Sequence, residues 1–102
     1  MTLKTHAWDP TERLDTTEAQ EAYLEAAFED GDPDLIVAAI GDIARARGMS
    51  EIAANAQVSR EVMYKSFRKG GNPTLSTLSQ VAGSLGYKLT LRRDAGGSSQ
   101  RG

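Results

Sequence analysis

Between Gly48 and Gly86 the chain reads GMSEIAANAQVSREVMYKSFRKGGNPTLSTLSQVAGSLG, and its punctuation restricts what it can become. Ser50, Ser59 and Thr74 are helix-capping residue types, and each precedes a run with apolar residues at helical spacing. The spacing predicts one short helix from Glu51 to about Ala56, with Ile52, Ala53 and Ala56 inward. A second runs from Arg60 to about Arg68, with Val62 or Met63, Ser66 and Phe67 turned to the core. After the Gly70-Gly71-Asn72-Pro73 loop, a further helix carries the stripe Leu75, Leu78, Val81, Ala82 and Leu85, and Gly86 stops it. Two short helices joined by a tight turn, then a supporting helix, are the layout of a helix-turn-helix DNA reader.

Two helices are expected upstream. Gly31-Asp32-Pro33 is a break and restart, with Asp32 suited to the N-cap and Pro33 to the first helical position. The helix before it runs from about Thr17 to Glu29, with a stripe of Tyr23, Leu24, Ala27 and Phe28. Asp15 or Thr17 can cap it, and Glu18 or Gln20 would complete a capping box. The helix after it runs to about Arg47 and buries Leu35, Ile36, Ala39, Ile40 and Ile43. Gly48 ends it, and Arg45 and Arg47 suit its C-terminal dipole.

The two ends of the chain read differently. Residues 1–14 lack periodicity, and Trp8-Asp9-Pro10 reads as extended or turn. Tyr87-Lys88-Leu89-Thr90-Leu91-Arg92 alternates with period two and reads as a strand. A lone strand needs a partner, and a second copy across a dimer axis is the natural one. The Gly- and Ser-rich end, Ala95 to Gly102, is expected to be disordered. The expected organisation is an extended segment over 1–14, an all-α five-helix domain with a short C-terminal β-strand over 15–92, and a tail over 93–102.

Net charge of −2 suits a DNA binder poorly until it is divided by position. Met1 to Ala44 holds two basic and eleven acidic residues, whereas Arg45 to Gly102 holds ten basic and three acidic. The basic half can neutralise phosphates. The acidic half would repel them, and its charge suits a basic protein or simply solvates the first helix.

Other functions fit less well. There is no cysteine, so disulfides and thiolate metal sites are excluded, and a reducing cytoplasm is the simplest setting. No apolar run reaches membrane-span length and no signal-peptide pattern is present, so no membrane partner is expected. His6 is the sole histidine, which leaves no histidine-based triad, and no catalytic residue or cofactor is expected. Asp30, Asp32 and Asp34 alternate, but the glycine and glutamate of a calcium loop are misplaced, so no metal is expected. Gly70-Gly71 lacks the Lys-Ser/Thr of a phosphate-binding loop.

The candidate site is therefore a DNA-reading face. Arg60, Glu61, Tyr64 and Lys65 share one side of their helix, because i, i+1, i+4 and i+5 lie together. Arg60 suits a bidentate guanine contact and Glu61 can accept from a cytosine amino group or serve Arg60 or Lys65. Lys65 can meet a base or a phosphate, and Tyr64 a base or sugar, or its own neighbours. Arg68 and Lys69, at the helix end, suit phosphates. Ser50 and Ser59 either cap their helices or donate to a phosphate. The plainer reading of the cations is a solvated face. A dimer follows from the small reach of one short helix, since two half-sites about one DNA turn apart repair it.

Asp15 to Leu24 (DTTEAQEAYL), Gly31 to Gly48 (GDPDLIVAAIGDIARARG), Val58 to Phe67 (VSREVMYKSF), Gly71-Asn72-Pro73-Thr74, Thr77 and Leu85-Gly86 resemble the probable addiction-module antidote proteins. These are HigA-like antitoxins of the wider Xre/Cro class, and the resemblance runs from Trp8 to Leu91. It implies a lambda-repressor-like fold and a bacterial type II toxin–antitoxin module. It further implies that the chain blocks a small, basic RelE/HigB-like ribonuclease toxin and represses its own operon by binding operator DNA. Gln57 departs from the pattern, which has glycine before the apolar-Ser pair. A left-handed conformation there would cost about 1 kcal/mol for a side chain other than glycine. The rival reading is a stand-alone transcription regulator with the same DNA face and no toxin.

Overall fold

The computed structural model of the protein describes residues 14–94. The expectations for His6, for Trp8-Asp9-Pro10 and for the tail from Ala95 lie outside them. The described chain is all-helical: α1 Thr17–Asp30, α2 Pro33–Arg47, α3 Met49–Ala56, α4 Arg60–Ser66 and α5 Leu75–Ser84. None of these helices is long and apolar enough to cross a membrane.

Local chemistry sets most of the boundaries. The Asp32 carboxylate accepts from the Asp34 N–H at 3.0 Å, and Pro33 opens α2. Ser59 accepts from Val62 N–H and Thr74 from Thr77 N–H, both at 3.0 Å, so α4 and α5 start where their caps stand. At the start of α1 the cap is Thr16, not Asp15 or Thr17: its Oγ1 accepts from Ala19 N–H at 3.0 Å. Thr16 is the last residue with extended backbone, and Thr17 is already helical. Ser50 is no cap either. One residue, Gly48, separates α2 from α3, and the buried Met49 already belongs to α3. Ser50 sits exposed in the first turn of that helix.

Leu35, Phe28 and Leu75 lie outside the core, with Leu75 75% exposed, and Val37 takes a core place on α2. On α4 the core residues are Met63 and Phe67, each 0% exposed, rather than Val62. That helix ends at Ser66, because Phe67 leaves helical geometry to reach the interior, so Arg68 and Lys69 follow the helix. Tyr87 to Arg92 forms no strand among the described residues. A strand is defined by a ladder, and the backbone groups of Lys88 to Arg93 make no hydrogen bond among the described residues.

The core joins all five helices. Its largest fully buried side chains are Phe67, Ile43, Met63 and Val81. α3 lies at the centre, touching α2, α4 and α5. Two side chains from α5 fasten it: Gln80 Nε2 donates to Ala56 O at 3.1 Å, and Ser84 Oγ to Ile52 O at 3.2 Å. α1 packs on α2, where the Tyr23 hydroxyl donates to Asp42 at 2.6 Å and Arg45 donates to the other oxygen of Asp42 at 2.8 Å. Burial, and then the hydrogen bond to Asp42, hold the Tyr23 hydroxyl well above the usual tyrosine range, so it stays neutral.

A buried polar chain closes the domain. Gln20, only 7% exposed, donates from its amide to Leu14 O at 3.0 Å and accepts from Arg47 Nε at 2.8 Å. Arg47 Nη1 then donates to Leu85 O at 2.9 Å. The segment before α1, α1 itself, the end of α2 and the end of α5 are thus held by one set of satisfied groups.

The tightest approach is between α2 and the residue after α4. A Cβ built on Gly41 would stand 2.0 Å from Phe67 O, against backbone that cannot swing away. Gly83, by contrast, has nothing within 4 Å of such an atom. Urea unfolding is therefore expected to show Gly41→Ala destabilised by about 1–3 kcal/mol through overpacking. Gly83→Ala is expected to gain about 0.5–1 kcal/mol from helix propensity. Equal midpoints for the two variants would show that the close approach is not needed.

Candidate nucleic-acid interface

α3 and α4 are linked by Gln57, Val58 and Ser59 alone. Gln57 has φ 60 and ψ 44, and it is the one described residue other than glycine at positive φ. Its N–H donates to Ala54 O at 3.2 Å and the next N–H, of Val58, to Ala53 O at 2.9 Å. This is a Schellman stop with glutamine in the position that favours glycine. Val58 is half-buried beside it and Ser59 begins the next helix, so the turn is short because stop and start adjoin.

The turn and the buried pair Met63 and Phe67 fix which side of α4 faces out. Arg60, Glu61, Tyr64 and Lys65 are all exposed, as their spacing predicts, with Tyr64 43% accessible. The Arg60 guanidinium lies 5.8 Å from the centre of the Tyr64 ring, in cation–π range, so the two side chains are presented as a pair. Arg68 and Lys69 are exposed beyond the helix end, and Arg68 Nε donates to Lys65 O at 3.2 Å. Ser59 is exposed, with its hydroxyl oxygen engaged as the cap. Ser50 lies on α3, outside this row, with its side chain in solvent.

The basic half of the chain does not all belong to this face. Arg45 is paired with Asp42, and Arg47 is part of the interior polar chain. Both suit the helix dipole by position, but Arg45 pairs with Asp42 three residues back, and the partners of Arg47, Gln20 and Leu85, lie 27 and 38 residues away. Gly71 is also structural: a Cβ there would stand 2.0 Å from Ser66 O, so the loop after α4 folds back on its last turn.

The acids gather elsewhere. Glu18, Glu21, Glu25 and Glu29 are exposed on α1, spaced so that they fall within one narrow sector of the helix. None of them forms an ion pair among the described residues, where Arg45–Asp42 is the one salt bridge. The exposed surface therefore carries a cationic row around α4 and an anionic row along α1.

The described surface thus has a cationic face and an anionic face. Residues 4–93 match the family described as probable addiction module antidote protein, and the chain belongs to that family. An uncharacterized protein of Haemophilus influenzae is 38% identical over 93 residues, covering 91% of this chain and 96% of that one. No solved structure matches the chain. Membership carries an antitoxin role, and with it a toxin partner in general terms.

The left-handed Gln57 supplies a test of the turn. Gln57→Gly removes the strain of a β-carbon at φ 60 and is expected to raise unfolding stability by up to about 1 kcal/mol. Loss of stability in that variant would mean that the glutamine side chain contributes more than its backbone strain costs.

Proposed function

We propose that this chain is a DNA-binding antitoxin of a type II toxin–antitoxin module, HigA-like and of the Xre type. In this reading α3 and α4 form a helix-turn-helix, and α4 enters the major groove of operator DNA. The observation that carries it is the exposed row Arg60, Glu61, Tyr64 and Lys65, backed by Met63 and Phe67 in the core and continued by Arg68 and Lys69. Arg60 reads a guanine while held over Tyr64; Glu61 accepts from a cytosine amino group or orients Lys65. Lys65, Arg68 and Lys69 neutralise phosphates. Ser59 keeps its capping role, and Ser50, at the start of α3, is within reach of a phosphate as that helix crosses the backbone.

The chain acts by binding, with no catalytic step. It binds as a homodimer in the cytoplasm, represses its own operon, and neutralises a RelE/HigB-like toxin. The glutamates of α1, which form no ion pair among the described residues, support this last assignment, because a small basic toxin needs an anionic surface that DNA does not occupy. A stand-alone regulator would share the cationic row and find no protein partner for α1.

Gel shifts with the DNA upstream of the gene are the direct test. Wild-type binding should weaken steeply with salt, and Arg60→Ala should lose preference at one base position, worth about 1–3 kcal/mol. A uniform loss across all sequences would reduce Arg60 to a phosphate contact. No binding even at low salt would remove the DNA reading. Pairing Glu18→Lys with Glu29→Lys should cut co-purification of the neighbouring toxin about tenfold or more while the gel shift persists. Undiminished co-purification would take the toxin off α1.

A further inference from the structure

Two large apolar side chains of α4 are exposed, Val62 and Tyr64. Tyr64 is engaged with Arg60. Val62, 37% exposed, stands outside the core that Met63 and Phe67 anchor. Three observations bear on what it does there.

The first is helix chemistry. α4 has seven residues, and valine is a poorer helix former than alanine, lysine or glutamate. An exposed valine weakens so short a helix and gains little burial in return. The second is position. Three residues of α-helix turn through about 300°, so Val62 lies about 60° around α4 from Lys65, on the flank of the outward row. Its N–H donates to Ser59 Oγ at 3.0 Å, and the neighbouring Met63 is fully buried, so the helix is fixed in rotation. β-Branching leaves valine one strongly preferred rotamer in a helix, which holds its two methyl groups in one direction. The third is surroundings. Ser59, Lys65 and Ser66 stand three and four residues from Val62 and are polar, while Val58 in the preceding turn packs against the core. Val62 is thus a single apolar point among polar groups of its helix face. A basic protein would meet Lys65, Arg68 and Lys69 beside it.

DNA offers a match for a single apolar point. The C5-methyl of thymine is the apolar group that base edges display in the major groove, and an apolar side chain reads it. We infer that Val62 reads the C5-methyl group of an operator thymine. It adds a base type next to the positions met by Glu61 and Lys65, and it does so without a hydrogen bond. The inference rests on DNA reading by α4 in the proposed function and assigns that face a further specificity-determining residue.

Uracil is thymine without this methyl and keeps the same hydrogen-bonding edges. Gel shifts should therefore compare two copies of the DNA upstream of the gene, one amplified with thymine and one with uracil throughout. Amplified DNA holds no methylated cytosine, so the thymine methyl is the chemical difference between them. Wild type should bind the thymine duplex at least about fourfold more tightly, the worth of roughly one buried methyl. Val62→Ala should bind the two duplexes equally and match wild type on the uracil duplex. Alanine favours helix, so thermal unfolding of this variant should come no earlier than that of wild type. Arg60→Ala, weaker on both, should keep the thymine preference.

A wild type indifferent to uracil would overturn the inference. So would Val62→Ala with the full wild-type preference, or with equal losses on both duplexes, and each of these results leaves DNA binding standing. Absence of wild-type binding to either duplex at low salt would overturn the inference and the DNA reading together.

Discussion

Everything on the outward side of α4 depends on how closely that helix can be drawn against α2. The approach is set by a missing atom. Gly41 brings α2 against the backbone of Phe67, where a Cβ would overlap the carbonyl oxygen. Phe67 can then turn out of helical geometry and bury completely, and Met63 one turn earlier is buried with it. With those two side chains fixed inward, geometry leaves Arg60, Glu61, Tyr64 and Lys65 outward. A larger residue at 41 would push on the anchor of the very helix that carries the cationic row.

The second constraint is polar. Burying Gln20 and part of Arg47 is tolerable because the Gln20 amide and the Arg47 Nε and Nη1 groups are hydrogen-bonded, from Leu14 O through to Leu85 O. This chain of bonds holds the domain's opening segment beside its closing helix turn. It also withdraws one cation of the basic half from the surface, while Asp42 engages a second. Among the described residues, the cations left at the surface lie around α4 and along Lys88 to Arg93, where Lys88 and Arg92 share a groove with Glu21 and Glu25 of α1. A protein of net charge −2 can in this way present opposite charges to different partners.

Much of this was legible from local chemistry. Gly31-Asp32-Pro33, Ser59 and Thr74 mark helix boundaries through bonds that span two or three residues, and these were read correctly. The left-handed strain at Gln57 was legible too, since the antidote pattern has glycine at that position. Ser50 and Thr17 fit the capping pattern by residue type alone. At α1 the adjacent Thr16 has the same chemistry and takes the cap, and α3 starts at Met49, directly after Gly48, with no side-chain cap. Leu35 and Leu75 fitted apolar stripes by period alone, but they stand 44% and 75% exposed, outside the core.

The sequence by itself determined the helices, the division of charge and the outward set on α4, because these follow from periodicity and from contacts a few residues apart. Only the tertiary structure decided that Gly41 and Gly71 are steric necessities, since the atoms they avoid come from other turns of the chain. It alone made Arg47 an interior tie, for partners 27 and 38 residues away leave no trace in local pattern. It also decided the state of Tyr87 to Arg92. Alternation gives that segment the capacity to be a strand, but a ladder needs a second edge, and the described residues provide none.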